Sequence, residues 1–79
     1  MEREDFKERL IQEYLETRER FCSLFDFIGR WERNSLTFEP QANKDTMKLQ
    51  AYLMGQLLEV LEARLHEAGI EEEEIVKRL

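Results

Sequence analysis

The chain has 79 residues and a net charge of −6, from twelve Lys and Arg against eighteen Asp and Glu. That size leaves room for one domain, residues 1–79, and that charge argues against binding to a DNA or RNA duplex, whose backbone demands a basic face. Cys22 and His66 are the only residues of their types, so no internal disulfide can staple the fold and no conventional zinc ligand set exists.

Met1-Glu2-Arg3-Glu4-Asp5 lacks the basic start and apolar run of a secretory signal, and no stretch approaches the ~20 apolar residues a membrane span needs. The expectation is a cytoplasmic protein without a membrane partner. Residues from about 4 to about 31 read as one long helix. Phe6, Leu10, Tyr14, Thr17, Phe21, Leu24, Ile28 and Trp31 are spaced by three and four, the period of one helix face. Ile11, Leu15, Cys22, Phe25 and Phe27 lie off that seam. Cys22, set between Phe21 and Leu24, reads as a small core residue. Gly29 costs about 1 kcal/mol relative to alanine inside a helix, so a kink or fraying is expected there.

Residues from about 34 to 43 form the connection, with the only proline, Pro40, and Phe38 as an apolar plug over the hairpin end. A second helix is expected from about 44 to 68, started by Asn43 or Asp45 as N-cap and stopped by Gly69, which reaches positive φ without a Cβ clash. Its best seam reads Met47, Gln50, Met54, Leu57, Leu61, Arg64 and Ala68, seven positions alternately three and four apart. Leu49, Leu53, Val60, and Leu58 with Leu65, fall outside it. Residues from about 71 to 78 read as a short third helix, acidic at its start and basic at its end, matching the helix dipole.

These elements make an all-α protein: an antiparallel two-helix hairpin with a short C-terminal helix. One core of this size rarely supplies more than about 3–5 kcal/mol, and each long helix carries more apolar surface than one partner covers. A homo-oligomer is therefore expected, with Met47, Met54, Leu57, Leu61, Phe21 and Leu24 as its contacts. The third helix could instead cover part of that surface.

No constellation for catalysis is present. His66 and Glu62 are only two metal ligands, glycines stand scattered at 29, 55 and 69, and no Glu-x-x-His pair occurs. The expectation is a protein that is not an enzyme and carries no cofactor or metal. Two features have two readings each. Glu71 to Glu74 reads as a solvated first helical turn or as a mimic of nucleic-acid phosphates. Trp31, beside Arg30 and Arg33, reads as a core residue closing the hairpin or as a base-stacking platform.

Gln50 and Arg64 carry the functional signal. Buried polar groups without partners are costly, so a seam that holds them points to another chain, a ligand or edge water. Arg64 could snorkel outward, paired with Glu67 or Glu13. Repeated around a symmetry axis, it would instead need an anion, and guanidinium holds phosphate bidentately.

The order Arg9-Leu10 with Glu13, Leu24-x-x-Phe27-Ile28, a loop with Phe38, Gln50-x-x-x-Met54 and Leu61-x-x-Arg64-Leu65 resembles a group of small phage proteins that includes the anti-CBASS cyclic-nucleotide sponges. The resemblance covers about Phe6 to His66. It implies a helical hairpin assembled as a hexamer that performs no reaction and sequesters cyclic di- or trinucleotide immune signals between protomers, in an infected bacterial host. Arg64 falls at the family's phosphate-binding arginine and Gln50 at its glutamine; Tyr14 and Arg18 complete the candidate ligand set. Ser23 stands where relatives carry lysine, and Leu57 where they carry an aromatic residue, which puts the dinucleotide site in doubt. The alternative, from a different class, is an acidic helical module that docks on a host protein without any nucleotide.

Overall fold

The computed structural model describes residues 2–79, with side chains from residue 5 onward. Three helices follow in order, α1 (Glu2–Glu32), α2 (Lys44–Glu67) and α3 (Glu72–Val76), and the described residues contain no strand. At 1.5 Å per residue the 31 residues of α1 account for most of the 48 Å long axis. α1 and α2 pack antiparallel, as the cross-hairpin pairs show. Tyr14 meets Glu62, Phe21 lies over Gly55, and Glu32 meets Lys48.

Both long helices end in the same way. The residue after the cap takes a left-handed conformation, and its own amide and the next one turn back onto the last carbonyls. At Gly69 (φ 73°) the Ile70 amide donates to Leu65 O and the Gly69 amide to His66 O, both at 3.0 Å. At the end of α1 the left-handed residue is Asn34 (φ 56°), with Ser35 N donating to Arg30 O at 2.9 Å. Asparagine tolerates this region better than most side chains. Gly29 does not interrupt α1, which continues to Glu32. Asn43 caps α2, its Oδ1 accepting from Thr46 N at 3.1 Å.

The core is narrow. Leu10, Ile11, Leu61 and Leu65 form its centre, with Ile28 and Ala51 buried farther along and Thr17 the one buried polar residue among those described. Along α1 the buried positions follow the spacing read from the sequence, except that Phe6 is exposed and Ile11 is buried. Ile11 is covered because α3 folds back: Ile70 and Ile75 pack on the central cluster. Arg78 ties that end down, donating to Glu8 Oε2 at 2.9 Å and to Glu74 O at 2.6 Å. α3 thus takes some of the surplus apolar surface and leaves Leu49, Leu53, Leu57 and Val60 of α2 exposed.

The seam of α2 differs from the one its sequence suggests. Ala51, Leu61 and Leu65 are buried, with Met47, Met54, Leu58 and Ala68 partly so, whereas Gln50, Leu57 and Arg64 are exposed. Leu61 is 0 % exposed within the single chain, so it is a core residue and not an oligomer contact. Cys22 is exposed rather than in the core. Phe38 is also largely exposed, its ring centroid 6.3 Å from that of Phe27. Trp31 is half-buried at the closed end, with the Lys44 ammonium 5.6 Å from its ring.

Candidate functional site

The exposed face of α2 carries a second seam. Gln50, Leu53, Leu57, Val60 and Arg64 are the inward-facing positions 51, 54, 58, 61 and 65, buried or partly so, each moved back by one residue. One residue turns the helix by about 100°, so the second seam runs beside the first along the whole of α2. Leu53 and Val60 are each more than half exposed, and Leu49 flanks them equally open. Gln50, Leu53, Met54 and Leu57 line one shallow and almost wholly apolar groove. Contiguous exposed apolar rows of this kind make candidate interaction faces.

Arg64 ends that row. Its guanidinium reaches toward the Glu13 carboxylate at 3.9 Å, and both side chains are about half exposed. A pair so long and so wet is worth less than about 1 kcal/mol. The guanidinium is therefore only loosely paired, with about half of the side chain open to solvent. It can take a phosphate without breaking any structural bond.

Tyr14 and Arg18 lie elsewhere. They line a cleft of about 420 Å³ where α1 and the end of α2 meet α3, together with Glu62, His66, Glu72 and Ile75. Tyr14 donates to Glu62 Oε1 at 3.2 Å. Burial raises its pKa above 10.0, and the Glu62 carboxylate pushes in the same direction, so the phenol keeps its proton and its role as donor. Glu62 and Arg64 point about 200° apart around α2, which puts the cleft and Arg64 on opposite flanks of the hairpin. The four candidate ligand residues thus form two separate places within one chain. Glu62 and Glu72 offset Arg18 in the cleft, which makes it the poorer host for an anion.

The expected oligomer contacts also separate. Leu57 and Met54 lie on the outer groove of α2. Leu24 and Met47 line an open groove on the α1 side, beside Ser23 and Arg20. Phe21 rests over Gly55 in an apolar hollow of about 300 Å³ rimmed by the exposed Phe25 and Tyr52. Glu71 to Glu74 are all exposed. Leu53 and Val60 belong to the candidate face although the single seam read from the sequence omits them. The signal that finds them is a row that copies the buried seam one residue earlier. Among the described residues no group of three or more His, Cys, Asp or Glu could hold a metal ion, and no helix is long and apolar enough to cross a membrane.

Compared with known proteins, residues 4–67 match the family model described as Sequestin. The matched segment ends with the last residue of α2, so it takes in both long helices and both Gln50 and Arg64, and leaves α3 outside. No curated protein and no solved structure matches.

Proposed function

Because the chain belongs to the Sequestin family, we propose that it is a sequestering binder that turns nothing over. Its ligand is a small phosphate-bearing nucleotide signal, in the finer form a cyclic di- or trinucleotide made by bacterial anti-phage defence. The observation that carries the proposal is Arg64, a half-exposed guanidinium held only loosely at 3.9 Å from Glu13, at the end of an uncovered apolar row. A phosphate would gain bidentate hydrogen bonds from Arg64, while apolar side chains beside it would cover the base. Stoichiometric trapping asks for binding groups alone.

The global charge of −6 opposes an anionic ligand, so binding depends on local geometry and weakens with salt only modestly through Arg64. The test is thermal unfolding of the purified protein with cyclic di- and trinucleotides, linear nucleotides serving as controls. A ligand at a hundred times its Kd adds about 2.7 kcal/mol, which for a domain of this size raises the midpoint by roughly 10–20 °C. Arg64→Ala should remove that shift and leave the fold, since its one ion pair is exposed. A shift that survives Arg64→Ala takes Arg64 out of the site. No shift with any nucleotide moves the function to docking on a protein partner.

A further inference from the structure

The neighbour that the chain itself supplies to Arg64 is a carboxylate. Glu13 on α1 faces Arg64 on α2 across the hairpin, Oε2 to Nη1 at 3.9 Å, with both side chains about half exposed. A charge-assisted hydrogen bond between such groups runs at about 2.7–2.9 Å. At the observed separation the carboxylate lends its charge without taking up the donors of the guanidinium. An exposed ion pair of this length contributes little to the hairpin, and a trap for phosphates gains no raw affinity from it. We propose that Glu13 is a specificity-determining residue of the Arg64 site, admitting phosphodiesters and turning away terminal phosphates. The proposal rests on Arg64 being the phosphate contact of the sequestering function above.

The selection follows from charge. A phosphodiester carries one negative charge over two free oxygens, the arrangement a guanidinium fork holds bidentately. A terminal phosphate monoester carries about −1.5 to −2 at pH 7. A bare arginine therefore favours the monoester, and the ordinary nucleoside mono-, di- and triphosphates of a cell would fill it. With Glu13 alongside, the charges of the pair cancel. What remains is a fork of donors with little net field, which binds by geometry and gains nothing from a second ligand charge. A phosphate on that guanidinium lies within the screening length of physiological salt, about 8 Å, so the carboxylate repels the second charge.

The surroundings act in the same direction. Glu16 follows Glu13 by three residues on α1, and Glu67 follows Arg64 by three on α2. Arg9, the cation four residues before Glu13, turns its Nε back to Asp5 O at 3.4 Å. Every phosphate of a cyclic di- or trinucleotide is a diester, and hydrolysis of the ring exposes a monoester. The site thus tells an intact ring from its linear product, although both carry the same bases.

Two probes without a base separate the charges: dimethyl phosphate, a diester, and methyl phosphate, a monoester. Each is titrated at neutral pH and constant ionic strength into protein with isotopically labelled arginine side chains. The Nε–Hε resonance of Arg64, assigned by its loss in Arg64→Lys, reports binding. Wild type should show no preference for the monoester. Glu13→Gln keeps the size of the side chain and removes its charge, so it should shift the preference toward methyl phosphate by about three- to tenfold. Glu72→Gln removes the same charge on the opposite flank and should leave the preference as in wild type. Glu13→Gln tightening both esters equally, Glu72→Gln shifting the preference as far, or an Arg64 resonance that neither ester moves overturns the proposal. Capture of cyclic nucleotides tests the sequestering function separately, because the ester preference is measured at Arg64 whether or not any nucleotide binds.

Discussion

Leu61→Ala is the sharpest probe of the hairpin. Among the described residues Leu61 is the one large side chain that is fully buried, at 0 % exposure, and it sits among Leu10, Ile11 and Leu65 with Tyr14, Leu15 and Ala68 around them. Removing a buried leucine to alanine costs about 2–5 kcal/mol, the transfer term plus the cavity left behind. Two helices can close such a gap only by moving together, and Phe21 over Gly55 already holds them apart at mid-length, so about 3–4 kcal/mol is expected. A single core of this size supplies roughly 3–5 kcal/mol, so the substitution removes most of the chain's own stability. Urea unfolding followed by helical circular dichroism, at fixed protein concentration because association adds stability, should show the midpoint falling by more than half with an unchanged slope. Leu57→Ala, on the open face, should cost the single chain less than half as much. A Leu61→Ala loss below about 1 kcal/mol would refute this account of the core.

Gly55→Ala should stabilise the protein. Its Cβ would lie 3.4 Å from Phe21 Cε1, a contact the ring can accommodate, while helix propensity contributes about 0.5–1 kcal/mol; thermal unfolding reads the gain, and a lowered midpoint would mean that the helices have no room there. Asn43→Ala removes the acceptor of the Thr46 amide and should cost about 0.5–2 kcal/mol by the same measurement. Tyr14 predicts an alkaline loss. Its pKa is raised above 10.0 in the fold by burial, with Glu62 adding to it, so its contribution is present below that value and vanishes as pH rises through the folded pKa. Tyr14→Phe should reduce that component of the alkaline fall in unfolding midpoint. Glu32, held below its ordinary 4.5 by the hydrogen bond from Lys48, gives the opposite sign. Its contribution is present above 4.5 and is lost as pH falls through the folded value, so Lys48→Met should soften the acid limb of the same profile.

Much of the fold was legible because the signals were local. Leu10, Thr17 and Ile28 fell on the buried face that their spacing predicts, and Gly69 terminates α2 with the positive φ that only a residue lacking Cβ adopts freely. The misreading of α2 has a definite cause. Two apolar rows lie one residue apart, and a single seam drawn through both takes Met47, Met54, Leu61 and Ala68 from the inner one and Gln50, Leu57 and Arg64 from the outer. Periodicity identifies a face to within one residue only where a single face is apolar; here the antiparallel partner helix decides. Cys22 failed for a related reason: its sequence neighbours are hydrophobic, but it lies one position from Phe21 and so on a different side of α1. The separation of Tyr14 and Arg18 from Arg64 depends on which flank of α1 meets Glu62 and which meets Arg64 across the hairpin, which no local pattern encodes.

The central claim is stoichiometric capture without turnover. The most direct measurement is to incubate the protein with cyclic di- and trinucleotides, filter away the free pool, denature the retained protein and identify what it releases. The account predicts that one cyclic species disappears from the filtrate in proportion to protein, is recovered chemically intact on denaturation, and stays in the filtrate with Arg64→Ala. A filtrate unchanged for every nucleotide, or a released ligand that has been hydrolysed, would contradict it.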